Sequence, residues 1–282
     1  MIKPTQSSQL LLYDINSTQP SYGQLALWWL GQSGYAIKTA SILFYIDLYL
    51  SEYLAAKYAN TTKPHIRITQ SPFQPAEITN AHWVFSSHKH SDHLDPGTLP
   101  ALFAASPQAK LILPAAVVDH AVTLGLPAER LMPTRGDETF TVGAMTVHSI
   151  PSAHPDFDYT EPTGYPFLGF VFQMDGVTLY HACDTLAYAG LAERLQKYDI
   201  DVALLPINGG YVPGTAPNMN IADAITLAQQ IKPRLVIPNH YDMFTFNTAD
   251  VSQFISQADS AQLNYRVLHC GEKFILNNFT AE

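Results

Sequence analysis

Residues 86–95 read Ser86-Ser87-His88-Lys89-His90-Ser91-Asp92-His93-Leu94-Asp95. His88, His90, Asp92 and His93 lie within six residues. Imidazole and carboxylate are ligands for divalent first-row metals. On a loop, the H-x-H spacing lets two rings converge on one ion, and the adjacent Asp92-His93 pair points onward to a second. The stretch follows the apolar run Trp83–Phe85, so it sits at a strand end, a usual place for a site. An exposed histidine-rich loop is the bland alternative. It leaves unexplained why crowded imidazoles and a carboxylate, costly without a partner, sit against a buried strand.

Working outward, the chain reads as strands first and a strand–helix mixture later. Gln24–Leu30, Tyr35–Lys38 and Ile42–Asp47 form a meander, with Gly31-Gln32-Ser33-Gly34 as a turn cluster. Residues 61–80 carry Pro64, Pro72 and Pro75 and no period, which predicts a long loop. Further strands are expected at Lys110–Leu113, Glu138–Val142, Met145–Ile150, Leu168–Gln173, Val177–His181, Val202–Pro206 and Leu235–Pro238. Helices are expected at Pro96–Ala104, Ala115–Leu124, Leu186–Lys197, Ile221–Ile231 and Asp250–Ala258, with Asn220 as an N-cap. This order suits two sheets with helices outside. No linker divides the 282 residues, so one domain is expected, its core at about residues 25–276.

Composition sets bounds. Hydrophobic residues make up 47% and charged residues 14% of the chain, enough for a sizeable core and against disorder. The formal net charge of −9 disfavours a general binder of nucleic-acid backbones. Two cysteines, Cys183 and Cys270, cannot build a disulfide scaffold or a CxxC zinc site. The longest apolar stretch, Ser41–Leu50, is broken by Asp47, which argues against a membrane span. The N-terminus lacks a signal-peptide hydrophobic region. A cytoplasmic enzyme with a small-molecule substrate, no nucleic acid and no membrane partner is expected. A homo-oligomer is left open; Tyr53 and Tyr58 could line an interface or the site.

His88-x-His90-x-Asp92-His93 resembles the HxHxDH motif of the metallo-β-lactamase superfamily, whose fold is a four-layer αββα sandwich with a two-metal site at one edge of the sheets. The resemblance implies three further ligands in order. His154 follows the strand Met145–Ile150. Asp184, in His181-Ala182-Cys183-Asp184-Thr185, is similar to the family's GDT segment with Cys183 in place of glycine. His240 follows Leu235–Pro238. By resemblance, His88, His90 and His154 hold one divalent ion and Asp92, His93 and His240 the other, with Asp184 between. Asp47 resembles the aspartate that orients a ligating histidine from behind. As for the other histidines, His148 and His181 read as packed, hydrogen-bonded strand residues. His65, His82, His120 and His269 read as surface or satisfied ones.

Other segments narrow the likeness. Trp28-Trp29-Leu30-Gly31-Gln32-Ser33-Gly34, Asn208-Gly209, Asn218-Met219-Asn220 and His240-Tyr241-Asp242-Met243-Phe244 are similar to the L-ascorbate-6-phosphate lactonase group. Leu48 departs from the proline common after the aspartate. The resemblance implies a hydrolase that opens a sugar-acid lactone with hydroxide held by two Mn²⁺ or Zn²⁺ ions, and it tilts the choice of metal to manganese. Asp92 would serve as the proton acceptor. Asn208, Asn220 and Tyr241 are candidates to orient the substrate. Lys89, Arg67 and Arg135 are candidates, by charge alone, to hold a phosphate. No G-x-S-x-G elbow or phosphate-cradling glycine loop competes. A phosphodiesterase or phospholipase-like hydrolase on the same ligands is the alternative, the latter drawing on the apolar run Ala101–Ala105. A non-catalytic metal-binding protein is a further one.

Overall fold

Along Gln24–Gly31 nearly every residue is buried, yet the side chains divide between two cores with a period of two. Leu25, Leu27 and Trp29 belong to one apolar cluster, and Ala26, Trp28 and Leu30 to another. Successive side chains on a strand point to opposite faces, so this strand lies in a sheet covered on both sides. The computed structural model describes residues 1–210 and 217–277, and in it two such sheets stack.

The first sheet contains β1 (Gln24–Gly31), β2 (Gly34–Lys38), β3 (Leu43–Ile46), β4 (Trp83–Phe85), β5 (Lys110–Pro114), β6 (Leu131–Thr134) and β13 (Lys273–Asn277). Its order is β13-β1-β2-β3-β4-β5-β6. The second contains β7 (Thr139–Val142), β8 (Met145–Pro151), β9 (Leu168–Met174), β10 (Val177–His181), β11 (Val202–Pro206) and β12 (Leu235–Asn239), in the order β12-β11-β10-β9-β8-β7. Each sheet begins as an antiparallel meander and continues with parallel strands, which need longer crossovers. Helices α2 (Tyr53–Tyr58), α3 (Leu99–Ala105) and α4 (Val118–Thr123) lie in the crossovers of the first sheet. Helices α5 (Leu191–Leu195) and α6 (Ile221–Ile231) lie in those of the second, and α7 (Val251–Ser260) follows.

Between the sheets Trp29, Phe44, Phe85, Phe170 and Phe172 interlock, with Phe85 and Phe172 edge to face at 5.0 Å between centroids. Outside the first sheet, α1 (Ser8–Ser17) and α3 bury Leu11, Leu12, Ile15, Leu102 and Phe103 against Trp28, Tyr45 and Val84. Helices α6 and α7 add Leu227, Ala228 and Phe254 to the cluster of the second sheet. The layers run helix, sheet, sheet, helix, as expected.

Several elements differ from the sequence expectation. Helix α1, α2, β6 and β13 were not anticipated. The helix expected from Pro96 starts at Leu99, because Pro96-Gly97-Thr98 turns around Asp95, which accepts from Gly97 N and Thr98 Oγ1. The helix expected over Leu186–Lys197 shrinks to Leu191–Leu195, started by Gly190 at φ +93°. The run Ala101–Ala105 lies in α3, whose Leu102 and Phe103 are buried, so it presents no lipid-facing surface. No described helix is long and apolar enough to cross a membrane.

Candidate metal centre

The parallel arrangement carries strand after strand to one edge of the sandwich, and each expected ligand stands just past a C-terminal strand end. Asp47 follows β3, the His88–His93 loop follows β4, His154 follows β8, Asp184 follows β10 and His240 follows β12. The β4 loop is closed on itself: Ser86 Oγ donates to the His93 carbonyl, and His93 N and Leu94 N donate to the His90 carbonyl. Asp47, Cys183 and His240 hold left-handed backbones, with φ of +48°, +54° and +67°. Each costs about 1–2 kcal/mol, and such residues gather at functional sites.

All seven expected ligands come together. Donor atoms of His88, His90 and His154 lie within 4.8 Å of one another, as do those of Asp92, His93 and His240. Asp184 stands between the two triads. Its Oδ1 is 3.4 Å from His93 Nε2, and its Oδ2 is 3.6 Å from His154 Nε2 and 3.5 Å from His240 Nε2.

Hydrogen bonds behind the rings decide which nitrogen is bare. Asp47 can only accept, so His93 donates from Nδ1 to its Oδ2 at 2.8 Å. Ser87 N and Oγ also donate to Asp47. With its proton spent there, Ser87 Oγ accepts from His88 Nδ1 at 2.9 Å. His154 donates from Nδ1 to the Pro217 carbonyl at 2.9 Å. In the neutral form of each of these rings Nε2 is therefore the bare nitrogen, facing the centre. His93 Nε2, Asp184 Oδ1 and His240 Nδ1 are buried without a hydrogen-bond partner. Buried orphans are costly, and here most of them converge. A divalent cation fits this donor set of imidazoles and carboxylates.

The electrostatics agree. Burial, then the neighbouring rings His93, His90 and His154, hold the His88 pKa well below its ordinary value. Burial pushes His90 down to about 4. Both are therefore neutral and able to coordinate. At His93 burial works against charge, but Asp184, Asp47 and Asp92 outweigh it and hold the pKa well up. That position favours positive charge, from a proton or a cation. Burial would raise Asp184, yet His93 and His240 hold it well below the usual carboxylate range.

Asp47, His181 and Cys183 form another close cluster, but its atoms are already committed. His181 Nε2 donates to the Ser33 carbonyl, and its Nδ1 accepts from Cys183 N. Burial, then Asp47, pushes the Cys183 thiol well up, and burial raises Cys270 to about 12. Both thiols are buried, and burial disfavours their thiolate forms. His148 is hydrogen-bonded and packs on Tyr198, as expected, but it does not lie in the core. It is half-buried on the outer face of β8, between Thr139 Oγ1 and Gln173 Oε1.

A cleft of about 420 Å³ opens over the centre. It is lined by His90, Asp92, His154 and Asp184 of the centre, by Tyr53, Leu54, Tyr58 and Phe246, and by Lys57, Lys63 and Lys89. Among the described residues none of these lysines makes an ion pair; Lys57 reaches Ser91 Oγ at 3.5 Å. Of the phosphate candidates, only Lys89 lies here. Arg67 is buried and donates to the Thr69, Ser51 and Tyr49 carbonyls, and Arg135 stands against Glu161.

The three substrate candidates are not brought to this cleft. Asn208 bonds Asn247 and Asn218, Asn220 caps α6 by accepting from Asp223 N, and Tyr241 donates to the Leu268 carbonyl. Their polar groups serve the framework. Lys57, Lys63 and Gln32 were missed: the lysines lie on a helix and a loop remote in sequence from the ligands, and Gln32 looked like ordinary turn chemistry. Gln32 Nε2 donates to Asp92 Oδ2 at 2.9 Å.

The sequence profile of the beta-lactamase superfamily domain matches residues 26–240. The chain belongs to that superfamily. It is 28% identical over 240 residues to a UPF0173 metal-dependent hydrolase of Pyrobaculum calidifontis, covering 82% of this chain and 91% of the relative. It is 24% identical over 269 residues to a protein of Escherichia fergusonii named a probable L-ascorbate-6-phosphate lactonase, covering 84% and 75%. Among solved structures, Igni18, a metallo hydrolase of Ignicoccus hospitalis, superposes with a TM-score of 0.66 at 22% identity, over 90% of this chain and 98% of that one. The fold and the superfamily are thus shared, and relatives within it are named metal-dependent hydrolases.

Proposed function

We propose that this chain is a hydrolase of anionic lactones, with a phosphorylated sugar-acid lactone such as L-ascorbate 6-phosphate as the substrate type. The observation that carries the reading is the pairing, in one cleft, of the His/Asp centre with Lys57, Lys63 and Lys89. The chain has 24 acidic against 15 basic residues. Three lysines that make no ion pair among the described residues, around one small cleft with no acid besides the ligands in its described lining, favour a substrate bearing negative charge. The likeness to the Escherichia fergusonii protein supports a lactone.

His88, His90 and His154 would hold one divalent ion and Asp92, His93 and His240 the second, with Asp184 shared. Bound there, the ions supply Lewis acidity, polarising the scissile carbonyl and bringing a water pKa toward 7. Imidazole suits zinc and carboxylate suits manganese; the lactonase likeness favours manganese. Burial would raise the Asp92 pKa, but His93 leads the groups that hold it below 3.8. It is thus ionised and can accept the proton of the attacking water. The lysines hold the anionic end, and Tyr53, Tyr58 and Phe246 shield the reacting end from bulk water. The reading places the enzyme in the cytoplasm with a small-molecule substrate, without nucleic acid or membrane; a homo-oligomer is compatible with it.

The test is turnover on a panel: L-ascorbate 6-phosphate, its unphosphorylated lactone and bis(p-nitrophenyl) phosphate, with Mn²⁺ and Zn²⁺ in parallel. The phosphorylated lactone should be the best substrate. Replacing Lys57 and Lys89 together by Ala should raise its KM about tenfold, the loss of roughly one charge-assisted bond, and leave the neutral lactone unchanged. Preference for the phosphodiester would move the chain to the phosphodiesterase reading. An equal KM change on neutral and charged lactones would remove the lysines from recognition.

A further inference from the structure

Five of the seven ligands can be compared by which other residues hold them. His93 is held by Asp47, His88 by Ser87 Oγ and His154 by the Pro217 carbonyl. Asp92 and His240 share a single residue. Gln32 Nε2 donates to Asp92 Oδ2 at 2.9 Å; it also stands 3.1 Å from His240 Nε2, the ring nitrogen that faces Asp92 and Asp184, so this side-chain contact does not hold His240 from behind. The Gln32 carbonyl accepts from His240 N at 3.1 Å. His240 Nδ1 has no hydrogen-bond partner. Among the described residues no other amide or hydroxyl side chain is within hydrogen-bond distance of Asp92. We propose that Gln32 is the positioning residue of the half-site formed by Asp92, His93 and His240, its side-chain amide orienting Asp92 and its backbone carbonyl holding the His240 backbone. This rests on the two-ion reading above.

Three further observations support it. Gln32 is 1% exposed, and its Oε1 is buried without a partner, so the carboxamide is not there for solubility. Its backbone is left-handed at φ +53°, directly after Gly31 at φ +96°. A glycine would adopt that conformation freely, so the backbone preference does not select a glutamine; its side chain must. The carbonyl is itself anchored, accepting from Trp29 Nε1 at 3.0 Å, and Trp29 packs on Tyr241, the residue after His240. The chemistry also suits the place. A neutral amide donates to Asp92 without adding a charge. A lysine there would repel an ion, and a glutamate would repel Asp92.

The experiment is a zinc titration of the metal-stripped full chain against a competing chelator, for the unaltered protein, Gln32→Gly and Gln32→Asn. It counts ions and ranks their affinities without reference to turnover. The unaltered chain should take two ions. Gln32→Gly should bind the first with unchanged affinity and the second about 10–100-fold more weakly, the usual cost of losing a group that orients ligands. Gln32→Asn, one methylene shorter, should fall between. The thermal midpoint of the stripped variants serves as the folding check, since glycine suits the left-handed turn. Two ions bound by Gln32→Gly as tightly as before would overturn the proposal. So would equal weakening of both ions together with a lowered midpoint, the mark of a merely structural residue. A single ion on the unaltered chain would instead overturn the two-ion reading, and this inference with it.

Discussion

His90 is partly exposed and lines the cleft, whereas His88, His93 and His240 are buried. Replacing it therefore opens no core cavity, and it removes a ring whose pKa burial already depresses to about 4. His90→Ala should lower turnover by on the order of 100-fold or more, while the thermal midpoint of the stripped protein stays within error. A variant that loses activity only by unfolding would refute the role. The ligands were legible because each follows an apolar strand in a short local pattern. Gln32, Lys57 and Lys63 were not, because only tertiary folding brings them to the cleft. Asn208, Asn220 and Tyr241 stand outside the cleft lining, since an amide or phenol near a ligand in sequence can equally satisfy nearby backbone, as Asn220 does in capping α6.

Helix α1 shows what local pattern leaves out at the scale of an element. Its apolar contacts, Leu11, Leu12 and Ile15, amount to barely one helical stripe, and Ser7 makes no side-chain cap bond. Packing on Trp28 and Leu30 selects the helix, not propensity. Leu11→Ala should cost about 3 kcal/mol, while Leu10→Ala, at a position 75% exposed, should cost no more than about 0.5 kcal/mol; urea denaturation separates them. Asp14 pins the same helix, accepting from Trp28 Nε1 at 2.8 Å and Lys273 Nζ at 2.6 Å. Burial pushes its pKa up, but the bonds from Lys273 and Trp28 prevail and hold it below 3.8. A carboxylate with a depressed folded pKa adds stability above its unfolded value, and that stability is lost as pH falls through the folded one. Asp14→Asn should lower the midpoint at pH 7, and the difference should vanish well below pH 3.8. A difference that persists in acid would show that charge is not the cause. Strands β6 and β13 were missed for a related reason. Both are edge strands, β6 interrupted by Pro133 and β13 only half-buried.

Across the molecule, the centre joins what the sequence keeps far apart. Asp47 and the His88–His93 loop come from the first sheet, and His154, Asp184 and His240 from the second. Two sheets with helices outside followed from the order of the expected elements, and the four-layer sandwich from the resemblance carried by the His88–His93 motif; the strand order did not follow from either. Nor did the cationic lining, because it depends on where α2 and the 61–80 loop come to rest over the strand ends. A cation bound across the two sheets stabilises the folded chain by mass action, about 2.7 kcal/mol at a hundredfold excess over Kd. Chelation should therefore lower the thermal midpoint by several degrees; an unchanged midpoint would argue that no ion binds across the sheets. The most direct measurement is turnover of L-ascorbate 6-phosphate by the chelator-stripped chain as Mn²⁺ is added back stepwise. Hydrolysis should be absent from the stripped chain and rise to full rate by the second equivalent. Full turnover in the stripped chain would contradict metal-dependent hydrolysis at this centre.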